Sequence, residues 1–130
     1  MEARQNRTIL SAGLLVNALL RTLPEVNVYP VMAPEEGEFP ALVYRRADMA
    51  AHQVKDGRPA DTSYIEMEIW TRSYAEGIDI AEKVRALFDN RRTLNETAGL
   101  YMRSCFLDNA YENGTQEGLF VQYLRFVIKV

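Results

Sequence analysis

The hydrophobic pattern changes period once between Tyr64 and Asn90, and that change predicts a strand running into a helix. In YIEMEIWTR, Ile65, Met67 and Ile69 alternate with Tyr64, Glu66, Glu68 and Trp70. Period two with β-branched and aromatic residues is the pattern of a strand with one buried face. At Ser73 the period lengthens to that of a helix. Ser73 followed by Glu76 is a capping box, in which each side chain satisfies the other's backbone N–H at a helix start. Beyond it Ile78, Ala81, Val84 and Phe88 fall on one face with Leu87 at its edge, and Glu76, Asp79, Glu82, Lys83 and Asp89 fall on the other. Asp79 and Lys83 are placed for an i,i+4 pair.

The remaining elements follow from the same patterns. Over 8–23, Ile9, Gly13, Val16, Leu20 and Leu23 recur at spacings of four, three, four and three, which predicts a helix ended by Pro24. Leu10 and Leu14 lie on the side shared with Asn17 and Arg21. They either widen the buried face or form a partner surface. Val26 to Met32, with Pro30 inside it, reads as an edge strand or extended segment, and Ala41 to Arg46 as a strand. Asp48 to Asp61 carries Asp56-Gly57 near its middle, a hairpin turn signal whose length predicts arms that project beyond the sheet or a part that is mobile in the free protein. Arg91 to Ala98 reads as a polar connection. Leu100 to Asp108 and Gly118 to Val130 read as closing strands, with Asn113-Gly114 as the turn between them. The predicted fold is α+β in the order α-β-β-β-α-β-β, a largely antiparallel sheet with two helices on one face.

On the last strand both faces are apolar: Phe120, Leu124, Phe126 and Ile128 on one, Leu119, Val121, Tyr123 and Val127 on the other. Helices can cover only one of them, so the second is expected to lie under a long loop or a second subunit.

Composition adds constraints. A chain of 130 residues with 48% hydrophobic and 25% charged residues is long enough to form one domain with its own core. A net charge of −3 argues against a general nucleic-acid binder. Lysine appears only at Lys55, Lys83 and Lys129, so the positive charge is nearly all arginine. Arginine suits ion pairs at interfaces, although coding bias produces the same count. The single Cys105 cannot form an internal disulfide, which fits a reducing compartment. The apolar run after Arg4 and Arg7 is interrupted by Asn17 and Arg21 and lacks a small-x-small cleavage site, so no signal peptide or membrane span is expected.

Candidate chemistry is sparse. Glu66 and Glu68 share a strand face about 7 Å apart, a spacing open to acid/base catalysis. The commoner use of such residues is cross-strand pairing, for which Arg45, Arg103 and Arg125 are available. His52 stands alone, without a Cys-x-x-Cys or His-Glu-x-x-His pattern to complete a metal site. Cys105 sits mid-strand and reads as a small buried hydrophobe, and nothing supports pairing it with His52 as a nucleophile. Gly57 and Gly114 read as isolated turn glycines rather than a phosphate cradle.

Taken together, the N-terminal amphipathic helix, Phe39-Pro40-Ala41-Leu42-Val43-Tyr44, Ile65-Glu66-Met67-Glu68-Ile69-Trp70 leading into Ser73-Tyr74-Ala75-Glu76 and a helix, and the long final hairpin resemble the phage and prophage tail completion proteins. Those proteins join or close the tail tube near the head. The resemblance covers nearly the whole chain and rests on the order of elements. It implies a structural, non-enzymatic part of a homo-oligomeric ring, often hexameric, with other tail or connector proteins as partners. It implies no cofactor, no membrane, no direct nucleic-acid recognition, and no catalytic residues to carry over. The place of action would be the bacterial host cytoplasm during assembly and then the virion tail. The expected subunit contacts are the projecting hairpin, with Met49, His52, Val54, Asp56 and Arg58, and the sheet face with Val121, Tyr123 and Val127. A small homodimeric protein binding a ligand between sheet and helices is the competing reading. An enzyme built on Glu66 and Glu68 comes after it.

Overall fold

The computed structural model describes residues 7–35, 37–50, 61–95 and 99–130. The period-two stretch forms the middle strand of a five-stranded sheet. In chain order the strands are β1 (Asn27–Pro30), β2 (Ala41–Ala50), β3 (Thr62–Thr71), β4 (Thr93–Asn95), β5 (Leu100–Met102), β6 (Ser104–Gly114) and β7 (Phe120–Lys129). The main sheet has the order β1-β2-β3-β7-β6, and β4 and β5 form a separate two-stranded ribbon. Every pairing is antiparallel except that of β1 with β2. The fold is α+β, as expected.

The two helices are α1 (Ala12–Leu20), entered through a 3-10 turn at Ile9–Ser11, and α2 (Tyr74–Phe88). Both pack on the sheet face that carries Leu42, Ile65, Met67, Ile69, Leu124, Phe126 and Ile128, and one core joins them. Phe88 of α2 meets Phe126 of β7 with ring centroids 5.4 Å apart. The Ser73 hydroxyl accepts from the Glu76 N–H at 3.4 Å, so the cap falls where the sequence puts it. The buried side of α2 is rotated from the expected stripe. Gly77, Ile80, Val84 and Phe88 are buried, while Ile78 is only half-buried. Gly77 lets this face come down on Thr71, because a Cβ there would lie 2.9 Å from the Thr71 hydroxyl. Lys83 reaches Glu25 at 2.9 Å, a longer-range partner than Asp79.

Three expectations at the C-terminal end are corrected. Arg91 to Ala98 is not wholly a connection, since its backbone supplies β4. The predicted strand Leu100 to Asp108 breaks at Arg103, whose N–H bonds to the Lys129 carbonyl, into β5 and β6. Asn113-Gly114 is not the hairpin turn. The Asn113 side chain accepts from the Gly114 N–H at 2.9 Å, and Gly114 stays in β6 opposite Phe120. The chain reverses at 115–119 instead. There the Thr115 N–H bonds to the Leu119 carbonyl, Gly118 N–H bonds back to Thr115, and Gly118 takes φ +82°. A three-residue hairpin loop needs a left-handed residue at its end, and glycine supplies it.

In the first half, β2 runs four residues past Arg46 to Ala50, with a bulge between Arg46 and Asp48. It pairs with β3 out to Ala50↔Thr62, which fits two arms of a hairpin; the Asp56-Gly57 turn lies outside the described residues. Leu10 and Leu14 do not widen the buried face of α1. They are 62% and 48% exposed, while Ala12, Leu15 and Leu19 widen it on the other side.

Candidate interaction surfaces

The sheet face opposite the helices is built from alternate residues of β2, β3, β7 and β6, in register across the strands. One row runs Val43, Glu68, Tyr123, Tyr111, and the next runs Arg45, Glu66, Arg125, Asn109. Among the described residues no helix covers it. The side chains cover it themselves. The Arg45 guanidinium donates to Glu68 Oε2 at 2.9 Å and to Glu66 Oε2 at 3.0 Å, and Trp70 Nε1 donates to Glu68 Oε1 at 3.1 Å. These carboxylates hold the Arg45 guanidinium more firmly protonated than usual, Glu68 first. Arg125 lies over the Tyr64 ring at 4.3 Å and pairs with Asp108 at 3.3 Å. Tyr111 and Tyr123 stack, with centroids 4.3 Å apart and planes 12° apart. Burial, with the Glu68 charge behind it, pushes the Tyr123 phenol above its ordinary pKa.

This arrangement corrects the expectation of an apolar second face. β7 itself places Arg125 between Tyr123 and Val127 there, and the flanking strands contribute Glu66, Glu68, Asn109 and Asn113 beside it. Val121 and Val127 are already 1% and 4% exposed in the single chain, beneath these longer neighbours. Tyr123 is half-buried and shares their face. Met49 does not: it is aligned with Ser63, Ile128 and Cys105 and packs against the helix-covered core. His52, Val54, Asp56 and Arg58 lie outside the described residues.

Glu66 and Glu68 take the cross-strand role, clamped by one guanidinium rather than facing each other over a cleft. The depression beside them, lined by Glu66, Asn109, Tyr111, Tyr123 and Arg125, holds about 210 Å³, below the ~300–1,000 Å³ of small-molecule sites. Burial pushes the Cys105 thiol up to about 12, so it stays protonated and is a poor nucleophile. Among the described residues no three His, Cys, Asp or Glu side chains gather as a metal site. Within the same residues no helix is long and apolar enough to cross a membrane.

A second surface lies at the β1 edge of the sheet. β1 stops at Pro30 opposite Tyr44, so the outer side of β2 is left open from Arg45 onward among the described residues. Val31 follows at φ +66°, a costly conformation for a β-branched residue, and the Met32 N–H bonds to the Pro30 carbonyl around it. Between this corner and α1 runs an open groove of about 690 Å³ lined by Leu10, Leu14, Val31, Tyr44, Arg21 and Arg46, among others. Val31, like Leu10, is 62% exposed. Arg46 spans the groove, donating to the Leu10 carbonyl at 2.9 Å. The pairing of Leu10 with Leu14 was visible in the sequence, whereas Val31 and Arg46 join them only through the parallel β1–β2 pairing. Tyr111 was missed because reading Asn113-Gly114 as the turn ended the strand alternation at Asp108.

No family model matches the chain, and no curated protein matches it. Solved structures do match. One, from the virion of native gene transfer agent (GTA) particle, aligns with a TM-score of 0.62 over 89% of this chain and 84% of its own, at 15% identity. The two chains share a fold.

Proposed function

We propose that this chain is a non-enzymatic structural component of a phage-like particle, one that joins or closes the tail tube near the head by assembling into a ring. The observation that carries the reading is the fold shared, over most of both chains, with a chain of a gene transfer agent virion. The order of elements, which resembles that of tail completion proteins, supports a place in the tail. The chemistry of the open face agrees with a contact surface: Glu66 and Glu68 are tied to Arg45, and stacked tyrosines stand beside arginines, a composition enriched at protein interfaces. Subunit contacts would use Tyr123 and its exposed neighbour Tyr111, with Val121 and Val127 as the packed floor. The hairpin beyond Met49, with His52, Val54, Asp56 and Arg58, would extend that contact.

Light scattering over a concentration series, with electron micrographs of the largest species, tests the assembly part. Closed rings of one size are expected. A concentration-independent dimer whose melting temperature rises with a small ligand would favour the ligand-binding alternative instead.

A further inference from the structure

The α1 groove and the tip of the β6–β7 hairpin, at opposite edges of the main sheet, differ in charge. At the β1 edge, the charged residues lining the α1 groove are Arg21, Arg45 and Arg46, and among the described residues no carboxylate lines it. Arg45 is neutralised by Glu66 and Glu68, but Arg21 and Arg46 are exposed beside the apolar Leu10, Leu14 and Val31. The opposite edge, four strand spacings or roughly 19 Å away, is the β6–β7 hairpin. From Ser104 to Leu124 the sequence has no lysine or arginine and carries Asp108, Glu112 and Glu117. All three are exposed, and so is Tyr111, at 59%. Asp108 is paired with Arg125 at 3.3 Å, and Glu112 accepts from the Tyr74 hydroxyl and from Gln122, both at 2.8 Å, so Glu117 at the hairpin tip is the carboxylate turned to solvent.

The hairpin is poorly suited to adding a strand to another sheet. The outward Ala110 and Gly114 N–H groups are taken by the side chains of Asn109 and Asn113 at 2.8 and 2.9 Å. What it offers a partner is the Tyr111 ring and the Glu117 carboxylate. What the groove offers is apolar surface and guanidinium groups.

We propose that the β6–β7 hairpin of one copy docks in the α1 groove of the next, so that copies of this chain join head to tail. Complementary patches at opposite ends of one subunit make a heterologous contact, which closes into a ring when the rotation between copies allows. Tyr111 then rests against Leu10, Leu14 and Val31, with Glu117 at the hairpin tip facing Arg21 and Arg46. Opposite charges across the contact fix its register, and like charges there oppose it. The inference rests on the ring reading above and names the surface that each copy offers its neighbour.

Charge reversal tests the pairing. Arg21→Glu with Arg46→Glu inverts the groove, and Gln116→Lys with Glu117→Lys, both exposed at the tip, inverts the hairpin. Each pair, checked for folding by circular dichroism, should lose assembly in sedimentation velocity. An equimolar mixture of the two, and a single chain carrying all four changes, should regain it. Because Arg46 also bonds to Leu10, Leu14→Asp gives an independent groove variant expected to show the same loss. Rings that persist unchanged in every variant would overturn the groove–hairpin pairing while upholding ring assembly. Folded four-change chains that fail to reassemble would also overturn it. A wild-type chain that stays monomeric throughout would overturn the pairing without bearing on membership of a particle.

Discussion

Asp89 Oδ1, just past the end of α2, accepts a hydrogen bond from the Leu107 N–H on β6 at 2.9 Å. The next residue, Asn90, donates its N–H to the Cys105 carbonyl at 2.7 Å. β6 is the edge of the sheet, and these two bonds close its upper half where a further strand would otherwise pair. Below the bulge at Leu107/Asn109, Asn109 and Asn113 cap the outward N–H groups of Ala110 and Gly114. An edge of eleven residues is thus blunted without a covering element, which is how natural sheets avoid adding strands by accident.

Removing the Asp89 carboxylate leaves the Leu107 N–H without its partner. Asp89→Ala should cost about 1–2 kcal/mol in urea unfolding, the range for a partly buried charged acceptor. The Leu107 N–H, and then Arg85, hold the Asp89 carboxyl below its usual pKa. A depressed folded pKa contributes stability that is complete above the ordinary aspartate range near ~3.9 and fades as pH falls toward the folded value. The difference between wild type and Asp89→Asn should therefore narrow at acid pH. A difference that stays constant would show that the charge contributes nothing.

Gly77 has no room for a side chain. A Cβ would stand 2.9 Å from the Thr71 hydroxyl, which is fully buried and donates to the Ser73 carbonyl at 2.7 Å, and 3.5 Å from Gln122. Alanine gains roughly 1 kcal/mol of helix propensity over glycine, but crowding a packed site costs about 1–3 kcal/mol. Gly77→Ala should lower stability by about 1 kcal/mol, read as a fall in the denaturant midpoint. A rise would mean that α2 lifts off β3 at little cost.

Leu14 and Leu15 are neighbours in sequence with opposite roles. Leu15 is fully buried, and Leu15→Ala should cost about 2–5 kcal/mol. Leu14 is exposed at the groove, and Leu14→Ala should change stability by no more than ~0.5 kcal/mol. Chemical denaturation of both variants checks the contrast. Equal losses would place Leu14 in the core and remove the groove.

The α+β class, the strand–helix unit and the cap at Ser73 were legible because each rests on local chemistry: alternation, period and a hydroxyl at the right spacing. The misread positions depend on distant partners. Ile80 rather than Ile78 faces the core because Gly77 fits over Thr71. Asn113-Gly114 stays in a strand because Thr115 and Gly118 offer a better reversal two residues further on. The apolar reading of the open face passed over Arg125, which alternates with Tyr123 and Val127 on β7, and the register adds Glu66, Glu68 and Arg45 beside them. Half of the groove was visible as Leu10 and Leu14. Its other wall needed the parallel pairing of β1, which no local pattern encodes.

Locating this chain in a particle tests its proposed role as a building block most directly. Particles from the source strain would be banded on a density gradient and labelled with gold-conjugated antibody against this chain. Label at one point of the tail, close to the head, is the predicted result. Particles free of label, with the chain abundant only in the unassembled fraction, would contradict it.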